Sequence, residues 1–281
     1  YKHDPVLRKL APTAAFALAS LARDNKEMQS KIAEAMRSPA LPGINPLVVM
    51  ISDFSEADAQ VAACSCLATL AQDHRDNQME IARQESIPPL VELARSNVKD
   101  SHEDASRAIS LLAAHEEHRP PIVQTGGIEP LVELLGTTNE ETQKHSAKAL
   151  ESLAKEHFNN QTSLASCKPF GPLVSMLAAK SEATSESAVK LLLCLAEHHP
   201  SQKTVVRRLV EVLTMTNISA QLKASEALAE LSSRNVYHRT TIVRAGAIEP
   251  LVGLLGNGMR AETGTPPERA AAVLADLARL A

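Results

Sequence analysis

The phrase TGGIEPLVELL, residues 125–135, returns near the far end of the chain as RAGAIEPLVGLL, residues 244–255. Related wording occurs as INPLVVM (44–50), IPPLVEL (87–93), FGPLVSML (170–177) and RRLVEVL (207–213). Aligned on Leu47, Leu90, Leu131, Leu173, Leu209 and Leu251, the copies stand 43, 41, 42, 36 and 42 residues apart. A near-constant period of this length marks a repeat array, whose units bury their apolar faces on each other rather than in one shared core.

A second phrase of the form A-x-x-A-L-x-x-L-A follows each copy and also occurs once before the first. It reads AAFALASLA (14–22), ACSCLATLA (63–71), ASRAISLLA (105–113), SAKALESLA (146–154), AVKLLLCLA (188–196), ASEALAELS (224–232) and AAAVLADLA (270–278). Apolar residues at i, i+3, i+4 and i+7 mark one buried helical face, and the alanines permit close helix packing. A third, weaker phrase precedes the prolines: DNKEMQSKIAEA (24–35), DNQMEIARQES (76–86), NNQTSLASC (159–167) and HRTTIVRAGA (238–247). Each unit therefore predicts a short helix, a sharp turn, a second helix starting at the proline and a longer third helix. Proline suits a first helical turn, where its missing N–H would be unpaired anyway, and a preceding glycine supplies the left-handed stop.

Three helices in about 42 residues, with G-x-I-x-P-L-V and A-x-x-A-L-x-x-L-A recurring in register, resemble the armadillo repeat. HEAT repeats share the length range but lack the glycine–proline phrase. The resemblance covers nearly the whole chain and implies an all-α fold, a right-handed α-α superhelix of about six three-helix repeats after a partial one. The expected boundaries are a partial repeat at 1–23, then repeats at about 24–72, 73–114, 115–155, 156–197, 198–233 and 234–281, forming one solenoid. Both ends read as uncapped, so further helix or a covering partner is expected there. Two departures stand out. The 36-residue spacing at 199–213 lacks the glycine–proline turn, so its first two helices are expected to be fused or shortened; Pro120 and Pro121 leave the first helix of the third full pattern very short. Stretches 96–104 and 256–268 read as surface loops.

The resemblance also implies that the third helices line a concave groove for an extended peptide. The third place of the alanine phrase reads Phe16, Ser65, Arg107, Lys148, Lys190, Glu226 and Ala272; the seventh reads Ser20, Thr69, Leu111, Ser152, Cys194, Glu230 and Asp276. These places lie four residues apart, away from the core-facing residues. Nuclear-import adaptors of the family carry Trp at the third place and Asn at the seventh. Neither ladder is present here, and each lost backbone hydrogen bond forfeits about 0.5–1.5 kcal/mol, which argues against a localisation-signal receptor. What remains is a charge pattern. Arg107, Lys148 and Lys190 recur at one place, with Lys144 and His145 a turn earlier and Glu226 and Glu230 further on. The candidate partner-binding residues are Arg107, Leu111, Lys144, Lys148, Ser152, Lys190, Cys194, Glu226 and Glu230, and a basic central groove suits an acidic extended segment. An exposed ion pair contributes only about 0–1 kcal/mol, so an apolar anchor is required, for which Leu111 is the candidate.

A net charge of −4 gives no footprint for nucleic acid. Cys64, Cys66, Cys167 and Cys194 form no C-x-x-C pair and read as structural thiols of a reducing, cytoplasmic setting. His115-Glu-Glu-His118 places two histidines on one face but offers no third ligand, so surface histidines are expected, as at His198-His199. No nucleophile elbow, phosphate-binding glycine loop or Cys–His arrangement occurs, so no enzyme, metal or cofactor is expected. The leading expectation is a non-catalytic scaffold or adaptor that binds a protein segment along the groove. The alternatives are a structural subunit contacting its neighbours by its ends and convex face, and an adaptor tethered to a membrane through acylation upstream of residue 1.

Overall fold

The computed structural model describes residues 5–36, 45–53, 56–256 and 265–280; the expected loop at 256–268 falls largely outside them. Among the described residues there are eighteen α-helices and no strand. The alanine phrase falls on seven of the longer ones: α1 (Pro5–Ala22), α4 (Ala57–Ala71), α7 (His102–Ala113), α10 (Glu140–Ala154), α13 (Glu182–Glu197), α15 (Ile218–Arg234) and α18 (Pro266–Ala278). The proline phrase opens α3 (Asn45–Ser52), α6 (Ile87–Arg95), α9 (Ile128–Leu134), α12 (Phe170–Met176) and α17 (Ile248–Gly256). The remaining short helices are α2 (Lys26–Met36), α5 (Arg75–Arg83), α8 (Arg119–Gln124), α11 (Phe158–Ser166) and α16 (Val236–Arg244). Residues 199–213 form one continuous helix, α14 (His199–Leu213), because nothing there breaks it. Pro120 and Pro121 at the start of α8 leave it six residues long, preceded by a 3-10 turn at Glu116–His118.

Contacts divide the chain into two compact units, Tyr1–Leu153 and Ala154–Ala281. In the first, α1, α4 and α7 pack in succession, and α3, α6 and α9 form a parallel row beside them. In the second, α13, α15 and α18 stack in the same manner, with α12, α14 and α17 alongside. The cores are aliphatic: Leu67, Leu70, Leu90, Ile109, Leu112 and Leu131 are fully buried in the first unit, and Leu191, Leu195, Leu209, Leu228 and Leu251 in the second.

The hinge inside TGGIEPLVELL is a two-part stop. Gly126 adopts φ +79°, the left-handed region that favours glycine. Its N–H and that of Gly127 reach back to the Val123 and Ile122 carbonyls, both at 2.9 Å, which satisfies carbonyls at the end of α8. Gly127 has an ordinary backbone but no room: a Cβ there would sit 2.9 Å from both Ile122 Cγ2 and the Ile122 carbonyl. At the equivalent place before α6 and α12 the left-handed residue is Glu85 (φ 57°) and Lys168 (φ 57°), so the glycine expected from the phrase is not required for the turn to form.

Side-chain amides, buried at Gln60 and half-buried at Gln143 and Gln221, tie the helices of a repeat together. Gln60, Gln143 and Gln221 each stand three residues before the alanine phrase and donate to the last carbonyls of the preceding helix, at Ile51 (3.1 Å), Leu135 (3.1 Å) and Leu213 (3.1 Å). The D/N-N-Q phrase does the same one connection later. Asn77 and Gln78 donate to the Leu70 and Ala71 carbonyls at 2.9 and 2.7 Å, and Gln29 bonds both the Ala22 and Thr69 carbonyls. Buried carbonyls left without such partners would each cost about 1–3 kcal/mol.

Candidate functional site

The face named by the third and seventh places is partly closed. Phe16, Lys148 and Lys190 are exposed, and Ser65, Arg107, Leu111, Ser152 and Glu226 are half-buried. Thr69 and Cys194 are buried, so two of the seventh places present little surface. Thr69 turns inward because its hydroxyl donates to the Ser65 carbonyl at 2.8 Å.

In the first unit this face holds a polar pocket of about 390 Å³ between α2, α4, α7 and the turn that follows α1. Ser65, Thr69 and Arg107 line it, joined by Arg23, Asp24, Glu103 and Asp104. Arg107 donates to Asp104 at 2.6 Å and to the Thr69 hydroxyl at 3.4 Å. Its buried Nε has no partner among the described residues, and neither has the buried Oε1 of Gln29, another lining residue. With two arginines facing three carboxylates, this part of the face is not basic. The acids that offset Arg107 lie one turn before it, where the ladder of third places does not look.

The same i, i+3 pairing recurs along the face. Lys144 is paired with Glu141, and His145 lies 3.7 Å from that carboxylate. Burial pushes the His145 pKa down to about 4, so its ring is neutral near pH 7. Lys148 has no ion-pair partner among the described residues. In the second unit Lys190 is likewise without one, whereas Glu226 is held by Lys223 at 3.2 Å and Glu230 by Arg234 at 2.6 Å. The exposed cations of the expected row therefore reduce to Lys148 and Lys190. Leu111 is half-buried, and Phe16 on α1 is the large apolar side chain that stands free on this face.

One histidine of each pair differs from expectation: His118 and His198 are buried, whereas His115 is half-buried and His199 is exposed. His115 Nε2 lies 2.6 Å from Gln78 Oε1, and His118 is buried with Nδ1 3.2 Å from the Leu112 carbonyl. Both rings bond within the fold, His115 to a side chain of α5 and His118 to a carbonyl of α7. His198 is buried too, between the hydroxyls of Ser201 (2.9 Å) and Thr162 (3.1 Å), because the chain turns inward to start α14. Among the described residues no three His, Cys, Asp or Glu side chains are grouped to hold a metal ion. Burial raises the Cys64 thiol and pushes Cys66 up to about 12, which keeps both as unreactive packing groups. Among the described residues no helix is long and apolar enough to cross a membrane.

A family model described as armadillo/beta-catenin-like repeat matches residues 115–155. Comparison with curated proteins returns no match. Among solved structures the chain is similar to an engineered protein at 28% identity and TM-score 0.70, over 94% of this chain and 64% of that one. The chain thus spans under two thirds of that protein's length. A second engineered protein matches at 26% identity and TM-score 0.63, over 84% of this chain and 96% of its own. A designed armadillo repeat protein in complex with peptide (KR)4 shares the fold at 22% identity and TM-score 0.63, over 83% of this chain and 99% of its own. The recurring hinge, the alanine-phrase helices and the matched repeat at 115–155 give this chain the fold of an armadillo array.

Proposed function

We propose that the chain is a non-catalytic scaffold that holds an extended segment of a protein partner across the alanine-phrase helices. The observation that carries this reading is the combination, within the first unit, of the exposed Phe16 ring with the polar pocket around Arg107. Phe16 offers an apolar anchor, and the pocket holds a donor and an acceptor that lack partners. Packed helices stand roughly 8–10 Å apart, so α1 to α7 spans about 20 Å, which an extended segment of about six residues covers. Lys148, exposed on α10, favours a carboxylate further along the partner. Designed armadillo proteins made for modular peptide recognition share this fold, which supports the use of the same face. The four thiols suit a reducing, cytoplasmic setting.

The test is quantitative co-purification with the Phe16→Ala and Lys148→Glu variants, using Arg83→Glu on α5 as control. Loss of one partner from both variants, with retention by the control, is the expected result. An unchanged partner set in both overturns the groove reading. The alternative, a built-in subunit of a larger assembly, draws on a different observation: Ile248, Val252 and Leu255 on α17 are all exposed. In that case Val252→Asp releases the partner and Phe16→Ala does not.

A further inference from the structure

The stretch that departed most from the repeat pattern, HPSQKTVVRRLVEVL, builds one wall of a cleft that the proposed groove does not use. Because α14 runs unbroken, Lys203 and Arg207 fall one turn apart on the same wall. The facing wall is α16, where Tyr237, Thr240 and Arg244 lie along one side of the helix. The cleft encloses about 420 Å³ within the second unit.

Its charge is one-sided. Lys203, Arg207 and Arg244 line it and no carboxylate does. Among the described residues Lys203 and Arg244 have no ion-pair partner. Arg207 reaches only Glu211, at 3.9 Å, a carboxylate that Arg208 already holds at 2.9 Å. The corresponding cleft of the first unit, between α5 and α8, sets the standard for comparison. There Asp76, Glu80 and Glu85 surround the single Arg83, which is bound to Glu80 at 2.7 Å. Like charges on successive turns cost a few tenths of a kcal/mol each, about 0.2–0.5 per pair, and that cost turns into a gain when an anion sits among them.

We propose that the α14–α16 cleft is an anion site that takes a phosphorylated group. Two guanidinium forks and an ammonium, with the Thr204 hydroxyl beside them, match a dianion with several acceptor oxygens better than a single planar carboxylate. The Thr240 hydroxyl is turned to its own helix, donating to the Val236 carbonyl at 2.9 Å, so the cations supply the recognition. The phosphate is carried either by a phosphorylated side chain of a partner or by a free small molecule. None of the cleft residues lies on an alanine-phrase helix, so the site stands or falls apart from the groove.

The test is calorimetric titration of the full chain with sodium pyrophosphate and with a glycine-flanked phosphoserine peptide, its unphosphorylated form serving as blank. Binding in the micromolar to millimolar range, about 4–8 kcal/mol, is expected for one of the two phosphorylated probes. Lys203→Glu and Arg244→Glu should each weaken it about tenfold or more. Arg208→Glu, whose side chain is paired and absent from the cleft lining, should leave it unchanged. All three side chains are exposed, and thermal melts unchanged in circular dichroism confirm that the variants fold. Tighter binding of the peptide assigns the phosphate to a partner segment, and tighter binding of pyrophosphate assigns it to a free ligand. No phosphate-dependent binding of either probe at about 1 mM, or reversal variants that bind like the wild type, overturns the proposal.

Discussion

The two copies of the proline phrase share their backbone and differ in their surroundings. Gly126 and Gly246 adopt φ +79° and +78°, and each starts a helix with the same Ile-Glu-Pro-Leu-Val. In α9, however, Ile128, Val132 and Leu135 are 7%, 6% and 0% exposed, while Ile248, Val252 and Leu255 of α17 are 47%, 52% and 44% exposed. Leu131 and Leu251 are fully buried in both. One apolar side of the helix is therefore buried within its own unit in either copy, and a second side is buried only in α9. The hinge is written locally, but burial is decided by neighbours that the phrase does not mention. The hinges also differ by one methyl. Where Gly127 closes onto the Ile122 carbonyl at 2.9 Å, Ala247 reaches Ile242 at 3.4 Å.

The burial difference is the easiest part of this comparison to break. Leu135→Ala should cost about 2–5 kcal/mol, the range for emptying a fully buried leucine site. Leu255→Ala, at a site open to solvent, should change stability by under about 1 kcal/mol. Urea melts of the two variants against the parent measure both. Equal losses would show that the second side of α17 is covered in solution. The methyl comes next. Gly127→Ala places a Cβ 2.9 Å from Ile122 Cγ2 and the Ile122 carbonyl, an overpacking that should cost about 1–3 kcal/mol. Ala247→Gly tests the reverse. Its hinge already accommodates the methyl, so the loss should stay within about 0.5–1 kcal/mol, the cost of added backbone freedom.

What the sequence could and could not announce follows from the same distinction. The fold was readable because its determinants repeat: proline at a helix start, an apolar stripe at helical spacing, and a period near 42 residues. Lys148 and Lys190 were readable as exposed cations for that reason. Arg107 was placed on the correct helix, but its charge was overstated. The offsetting Asp104 lies off the ladder being read, and only the structure shows the two at 2.6 Å. Lys144 misled in the same way through Glu141. The buried histidines were missed because a histidine beside a helix end reads as solvent-facing until its neighbours are known; His198 closes on Ser201 and on Thr162, which is 36 residues away. Gln60, Gln143 and Gln221 did carry a signal, three residues before three of the seven alanine phrases, that a search for polar positions in register would have found.

A third pair of substitutions separates conformation from contact. Gly126→Ala and Gly246→Ala both force a side chain into the left-handed region, at a cost of about 1–2 kcal/mol. A Cβ on Gly126 would meet Arg95 Nη2 at 3.4 Å, whereas one on Gly246 would meet nothing within 4 Å. Equal losses in urea melts would assign the whole effect to the backbone. A markedly larger loss at Gly126 would assign part of it to Arg95, which donates to the Gly126 carbonyl at 3.3 Å.

The smallest expected effect runs in the opposite direction. Glu85 and Lys168 hold the place of Gly126 and Gly246, two residues before the helix-starting Ile87 and Phe170, and both sit at φ 57°. Each is exposed, and neither side chain takes part in an ion pair among the described residues. Glycine there removes left-handed strain of about 1–2 kcal/mol, while the freer unfolded chain takes back about 0.4–1 kcal/mol. The net should be a gain of up to about 1 kcal/mol for Glu85→Gly and for Lys168→Gly, additive in the double variant because the sites belong to different units. A raised urea midpoint with an unchanged slope would show that the glycines of the other two hinges are there for backbone conformation. A lowered midpoint would mean that Glu85 and Lys168 hold their turns through their side chains. The hinges of an armadillo array would then be set by different means in different repeats, despite identical helix starts.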